Sequence, residues 1–244
     1  MLLALAEQFP EVLPEALSAA QAIGNEEYRA QVLSALAEQL PETLLSEALS
    51  AAQAIGDVKE RAEVLSVSAE KFPEVLPKAL GAARVIGDEK ARAQVLSALA
   101  EKFPEVLPEA LSAAQAIGNE EYRAPVLSAL AEKVPETLLP EALSVVQAFN
   151  YDKNQVQVLS VLAEKVPETL LPKALSAARA IKYGKYRAQV LSVLAEKFPE
   201  VWSEVLSAAQ AIGDERNRAE VLSALVEKLP ETLLPEALSV AQAI

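Results

Sequence analysis

The 244-residue sequence contains no histidine and no cysteine, so any reaction it ran would rest on serine, lysine, tyrosine and carboxylates. Those two zeros exclude a Ser-His-Asp triad, a thiol nucleophile, a Cys/His zinc site and a histidine pH switch. Ser68-Ala69-Glu70-Lys71 matches the S-x-x-K arrangement of some serine acylases. Ser68 stands, however, where equivalent stretches carry Leu36 and Leu99, so a drifted core position accounts for it. Glutamates recur at equivalent sites: Glu38, Glu70, Glu101, Glu132, Glu164, Glu196 and Glu227. General acid–base work needs two carboxyl groups in unlike environments, and a row of equivalent ones supplies like environments. A solvated face is expected, with a calcium-binding row as the alternative. Phosphate-cradling G-x-G-x-x-G and G-x-x-x-x-G-K-[ST] and the G-x-S-x-G elbow do not occur. The sequence therefore predicts no catalyst, no metal and no cofactor.

Residues suited to binding remain. Phe149-Asn150-Tyr151-Asp152-Lys153-Asn154 and Ile181-Lys182-Tyr183-Gly184-Lys185-Tyr186 interrupt an otherwise regular pattern. They bring Tyr151, Tyr183, Tyr186, Lys153, Lys182 and Lys185 into an acidic chain poor in aromatics, and tyrosines beside cations are a frequent interface composition. Relaxed drift in linkers is the alternative. A second candidate is a polar row, Gln21, Gln53, Arg84, Gln115, Gln147, Arg179, Gln210 and Gln242, flanked by small residues such as Ser18, Ser50, Gly81 and Ser112. Such a row suits the inner wall of a curved stack, where a partner could lie; close helix packing explains it equally. Trp202, the sole tryptophan, stands where Leu13 and Leu107 stand elsewhere, either as an apolar plug or as a contact anchor.

The 35 acidic and 22 basic residues leave a net charge of −13. That balance disfavours nucleic acid and anionic membrane surfaces, which need a basic face to displace counterions. The longest uncharged runs, Ala142 to Tyr151 among them, are 10 residues, against roughly 18 for a bilayer span. The opening Met1-Leu2-Leu3-Ala4-Leu5-Ala6 has no basic flank and is too short for a signal peptide. A cytoplasmic chain is the expectation.

These residues are positioned by a repeat. R-A-x-V-L-S-A-L-A-E-K or a close variant begins at Arg29, Arg61, Arg92, Arg123, Arg187 and Arg218, with a degenerate copy at Gln155. The spacing defines eight units of 31–32 residues in full-length form: 1–28, 29–60, 61–91, 92–122, 123–154, 155–186, 187–217 and 218–244. Short units carry P-E-V-L-P or P-E-V-W-S; long ones carry P-E-T-L-L-P/S, a length change expected to stay within a loop. Leu5–Ala30 and Leu99–Ala124 differ only at Gln8 against Lys102, which points to duplication of a three-unit block.

Each unit reads as two helices. In the first helix of unit 2, Val32, Leu33, Leu36, Ala37 and Leu40 share one side, with Gln31, Ser34 and Glu38 opposite. It is expected to run up to Pro41, because the residue before a proline is pushed out of the α region. In unit 1 the second helix starts with Pro14 at its first position and ends at Gly24, a residue able to take a positive φ, with Asn25 capping the next helix. The repeated arginine falls on the first helix's apolar side and therefore needs a repeated partner, either second-helix carbonyls or a glutamate of an adjacent unit. Pro125 replaces the glutamine of other copies, and its helix is expected to start late or bend there.

Neither helix buries its apolar side within one hairpin, so neighbours must stack. The expected fold is all-α: a single α-solenoid over residues 1–244, about eight stacked helix-turn-helix repeats in a curved superhelix. The pattern resembles the helix-turn-helix arrays of the tetratricopeptide and HEAT classes, and most of all the Leu/Ala/Pro-rich solenoid repeats of multidomain bacterial, notably cyanobacterial, proteins. It lacks the W-x2-L-G-x2-Y signature and the repeat of about 34 residues that mark tetratricopeptides. The resemblance implies a non-catalytic scaffold for protein–protein interaction, the alternative being an architectural, self-associating spacer of a larger protein. Unit 1 lacks the cap and arginine of its siblings and has Leu3 where they have serine; unit 8 closes on the ordinary apolar positions Ala237, Leu238 and Ala241. With no polar capping unit at either end, the expectation is a homo-oligomer formed through a terminal repeat, or a fragment whose neighbours supply the caps.

Overall fold

A computed structural model describes residues 10–242. Leu3 and the start of the first unit lie outside the described residues. Among those described there are only helices and their connections, with no β-strand. They form two compact units, 10–116 and 117–242. The first unit contains α1 (Leu13–Gln21), α2 (Glu26–Ala37), α3 (Leu45–Gln53), α4 (Val58–Lys71), α5 (Leu76–Arg84), α6 (Glu89–Lys102) and α7 (Leu107–Ala116). The second contains α8 (Glu120–Ala131), α9 (Leu139–Gln147), α10 (Asp152–Ala163), α11 (Leu171–Ala180), α12 (Gly184–Lys197), α13 (Trp202–Gln210), α14 (Glu215–Val226) and α15 (Leu234–Gln242). Even-numbered helices are the first helix of a repeat and odd-numbered ones the second.

Stacking is sequential within each unit. In 10–116, α2 packs on α4 and α4 on α6; in 117–242, α8, α10, α12 and α14 form the same succession, with α9 on α11 and α13 on α15. Most of the stripe expected in unit 2 is observed: Leu33, Leu36, Ala37 and Leu40 are buried and Gln31 and Glu38 exposed, while Val32 and Ser34, expected on opposite sides, are both half-buried. Alanines such as Ala16, Ala20, Ala52 and Ala83 are fully buried in the second helices, which lets neighbouring backbones approach closely.

The two turn types differ by more than a loop, which corrects the sequence reading. In P-E-V units the first helix has 14 residues and ends at a phenylalanine directly before the proline, as at Phe72 (φ −124°, ψ 87°). In P-E-T-L-L units it has only 12 and ends at Ala37, well before Pro41. In the long units the chain leaves the helix early and then drops Leu40, Val134 or Val166 into the core ahead of the proline. The longer helix packs more extensively on its own second helix (α4 on α5, α6 on α7, α12 on α13). In both types a three-residue 3₁₀ turn leads into the second helix, and where a proline follows, it takes the second helical position, as Pro14 does after Leu13. Proline is tolerated there because its missing N–H has no intrahelical partner.

The left-handed conformation open to Gly24 is not used: among the described residues no glycine has a positive φ. The helix end unwinds into 3₁₀ bonds instead, with the Ile23 N–H donating to the Ala20 carbonyl at 3.1 Å. The repeated arginine then takes the carbonyl left over. Arg29 Nη1 donates to the Ile23 carbonyl at 3.3 Å, Arg61 to Ile55 at 2.7 Å and Arg92 to Ile86 at 2.9 Å. Arg123, Arg187 and Arg218 do the same to Ile117, Ile181 and Ile212 at 3.2–3.3 Å. A cation at the negative end of a helix is favourable in itself, and the half-buried guanidinium avoids the full cost of an interior charge.

Pro125 does not delay its helix. α8 starts at Glu120, matching Glu26 in α2, and both have 12 residues. The proline ring is exposed, so the Glu121 carbonyl that it leaves without a helical donor can be hydrated. The difference lies in the cap: Asn25 accepts from the Tyr28 N–H, whereas Asn119 accepts from the Glu121 N–H, one residue earlier in the helix.

The arginine contact gives a direct prediction. Arg92→Met keeps an aliphatic stem but removes the donor to Ile86, and should lower unfolding free energy by about 1–2 kcal/mol. Urea denaturation followed by circular dichroism measures it; an unchanged midpoint would show that the carbonyl needs no partner.

Candidate functional site

The links between repeats carry both the regular polar contacts and the departures from them. At most links an Asp or Asn caps the following helix: Asn25, Asp57, Asp88, Asn119 and Asp214 each accept a first-turn N–H through the side chain. Tyr151 and Tyr183 occupy the same capping position at two links and make no side-chain cap bond. They are 67% and 70% exposed.

What holds those two links is an acid from the preceding repeat, a contact that the sequence reading missed. Glu120, at the start of α8, accepts from the Asn150 N–H at 2.9 Å, from Asn150 Nδ2 at 2.7 Å and from the Tyr151 N–H at 3.2 Å. Asp152, at the start of α10, accepts from the Tyr183 N–H at 2.7 Å. In the first unit Glu26 does the same for the Gly56 and Asp57 N–H groups, at 2.9 and 2.8 Å. Acid and link residue are matched in size. A Cβ on Gly56 would meet Glu26 Oε1 at 2.9 Å. Asn150 carries a Cβ but returns an amide hydrogen bond, and opposite Lys182 the acid is the shorter aspartate. The recurring separation of 30–31 residues between acid and link, together with that matching, was the available signal.

Glu26 and Glu120 also meet the arginine of their own helix, which the helix of Asp152 lacks. Arg29 Nη2 lies 3.0 Å from Glu26, and Arg123 Nη2 lies 3.4 Å from Glu120. One carboxylate thus ties the link behind it, through arginine, to the link ahead. Burial would raise the Glu120 carboxyl, which is 7% exposed, but the bonds from Asn150 and Tyr151 and the Arg123 charge outweigh it and hold it below its ordinary value. Glu26 is lowered chiefly by the Gly56 and Asp57 N–H bonds.

The two unusual links lie on one edge of the second unit, as expected from their spacing, joined through Asp152 and Tyr183. Tyr183 meets Tyr186 edge-on with ring centroids 6.3 Å apart, and Tyr186 is half-buried. Lys153 and Lys182 are exposed. An open cleft of about 960 Å³ runs beside Tyr151 and Lys153, walled by Asn119, Glu121, Asn150 and Asn154. Lys185 is engaged elsewhere: its Nζ donates to Glu220 at 2.8 Å and lies 3.4 Å from Asn217.

The remaining sequence candidates separate from this edge. Arg179 is exposed but held by both oxygens of Glu204, as Arg84 is by Glu109 at 2.7 and 2.8 Å. Gln147 is exposed in the second unit, and Gln115 is half-buried in the first. The polar row does adjoin the row of small residues: Gln21, Ser50 and Ala54 line one shallow groove. Trp202 is 3% exposed, so it fills the core at the start of α13 and presents no surface. Its position matches Leu13 and Leu107, where any large apolar side chain completes the packing. Ser68 is likewise buried at 3%, and its hydroxyl donates to the Val64 carbonyl at 2.8 Å. The glutamate row from Glu38 to Glu227 is exposed. Among the described residues no group of three Asp, Glu, His or Cys is placed to hold a metal, and no helix is long and apolar enough to cross a membrane.

No protein-family model and no curated protein matches the chain. Among solved structures, Ton1535 from Thermococcus onnurineus NA1 aligns over 99% of this chain and 94% of that one, at 13% identity and a TM-score of 0.37. A computationally designed self-assembling cyclic homo-oligomer aligns over 99% and 91%, at 18% identity and a TM-score of 0.15. Likenesses at those values carry no argument about function.

The acid clamp predicts a pH response. A carboxyl lowered in the folded state contributes stability that is fully present above its ordinary value of 4.5 and is lost as pH falls through the lowered value. Glu120→Gln should reduce stability by about 1–3 kcal/mol at neutral pH and flatten its loss below that ordinary value. Denaturant titrations at neutral and acidic pH test this; a variant with the same acid dependence as the parent would place the titrating groups elsewhere.

Proposed function

We propose that the chain is a non-catalytic helical-repeat scaffold that binds another protein along the edge formed by links 149–154 and 181–186. One observation carries the reading: at these two links a capping Asp or Asn, worth about 0.5–2 kcal/mol, gives way to a tyrosine left largely in water. Drift that merely tolerated change would not be expected to give the same residue, at the same position, in two links facing each other. Giving up local stability for a displayed side chain is the pattern of a working surface. Exposed Lys153 and Lys182 supply cations in a chain of net charge −13, so the fitting partner presents carboxylates around a site that takes an aromatic ring. Binding in the cytoplasm, away from nucleic acid and membranes, is part of the same proposal.

The capping argument supplies the test. Tyr151→Asn with Tyr183→Asp restores the caps of sibling links, and should raise stability by up to about 2 kcal/mol while weakening partner capture from the source cell. Lys153→Ala with Lys182→Ala should weaken capture and make the remainder less sensitive to salt. Undiminished capture of the same partners by both variants would remove this edge from the binding function.

A further inference from the structure

We infer that the array has two kinds of seam between stacked repeats, set by the turn inside the preceding repeat, and that it opens reversibly at those that follow a P-E-V repeat. Within the two compact units these are the seam between α4 and α6 and the seam between α12 and α14. This goes beyond the binding edge at the links and does not depend on that edge binding anything.

Helix length alone would give the reverse. α4, α6 and α12 have 14 residues, against 12 in α2, α8 and α10, so the longer helices have more surface to share with a neighbour. Yet α2 packs extensively on α4, α8 on α10 and α10 on α12, whereas α4 meets α6, and α12 meets α14, over far less. The longer first helix is turned toward its own second helix instead. A groove of about 390 Å³ runs between α12 and α14, floored by Ala188, Val193, Val221 and Leu225.

The polar ties follow the same division. Glu26, Glu120 and Asp152 begin the preceding helix of each tight seam and hold the link ahead of it. At the same position α4 has Val58 and α12 has Gly184, neither of which can accept a bond through its side chain. The lysines at the helix ends differ as well. A P-E-T-L-L repeat ends its first helix early, leaving Glu38 or Glu132 as the C-cap, and Lys71 or Lys165 of the next repeat donates to that carbonyl. In a P-E-V repeat the equivalent Glu70 or Glu196 lies inside the helix. Lys102 and Lys228 reach their carboxylates instead, at 3.2 and 2.5 Å, with all four side chains 41–55% exposed. Ion pairs that open to solvent are worth little and weaken with salt. Sparse packing held by exposed ties is the condition for local opening at low cost. Both tyrosine-bearing links lie among α8, α10 and α12, whose seams are tight, so that edge keeps its geometry while the seam between α12 and α14 opens.

The chain has no cysteine, so introduced cysteine pairs carry spin labels at chosen positions only. Lys71→Cys with Glu101→Cys spans α4 and α6, and Lys197→Cys with Glu227→Cys spans α12 and α14. Lys133→Cys with Glu164→Cys is the matching pair across α8 and α10. All six sites are exposed, and none belongs to the ties across the seam that it reports on. Pulsed electron paramagnetic resonance on the full chain should give broad distance distributions for the first two pairs, shifting to longer distance at about 0.5 M salt. The third should be narrow and unmoved. Val58→Glu, which restores an acid at the start of α4, should narrow the 71–101 distribution and leave 197–227 as it was. Equal widths for all three pairs would overturn the inference, and so would a salt-driven shift at 133–164 as large as at the other two. A 71–101 distribution untouched by Val58→Glu would overturn the part assigned to the acid.

Discussion

A guanidinium held against the carbonyl end of a short helix is the contact on which the rest of this chain depends. The second helices are only 9 or 10 residues long, too short to be stable alone, and their last carbonyls must find donors. An arginine six residues further on closes the turn by donating to the carbonyl one or two residues beyond the helix end, at Ile23, Ile55, Ile86, Ile117, Ile181 and Ile212. That bond spans the turn from one repeat into the next. One link lacks it. Where Gln155 replaces the arginine, its amide turns to the Ala177 carbonyl instead, and Phe149 at the helix end lies under the Arg123 guanidinium at 4.8 Å.

Acids extend the same device from repeat to repeat. Glu26 and Glu120 each touch an arginine on their own helix and backbone N–H groups on the next link. Lysines at the helix ends add a parallel set of ties, Lys71 to the Glu38 carbonyl at 2.7 Å and Lys102 to Glu70 at 3.2 Å. The exposed members of these sets are each worth little in water. The Arg123–Glu120 contact matters more, because both partners are largely withdrawn from solvent.

Against that regular background two links of the second unit depart from the pattern. Tyr151 and Tyr183 replace capping residues while Glu120 and Asp152 keep the backbone of their links in place. Fold and display are thereby separated: the acid carries the link, and the tyrosine is free to face outward. Repeats three and six differ in another coordinated way. Each has a lysine and an arginine, Lys78 with Arg84 and Lys173 with Arg179, and in each the arginine grips a glutamate of the following repeat. Only the arginine is new to each pair: Glu109 and Glu204 stand where Glu15, Glu47 and Glu141 stand in other repeats, while Lys78 and Lys173 replace that glutamate in the arginine's own repeat.

The sequence by itself determined that the chain is helical, where its repeats begin, which helix sides are buried, and that the repeated arginine needs a repeated partner. Those follow from periodicity and from the cost of burying an unpaired charge, both local enough to read one residue at a time. It also marked the tyrosine links, because a departure stands out against near-identical copies. Only the tertiary structure decided that the long turn shortens its helix, since whether Leu40 continues the helix or drops into the core depends on the space its neighbours leave. The same holds for Trp202, whose type suits a surface anchor or a core plug equally until its surroundings are known. The acid clamps were hidden for a related reason. Glu26 and Gly56 lie 30 residues apart, and an exposed-looking glutamate becomes a structural ligand only when stacking brings the next link to it.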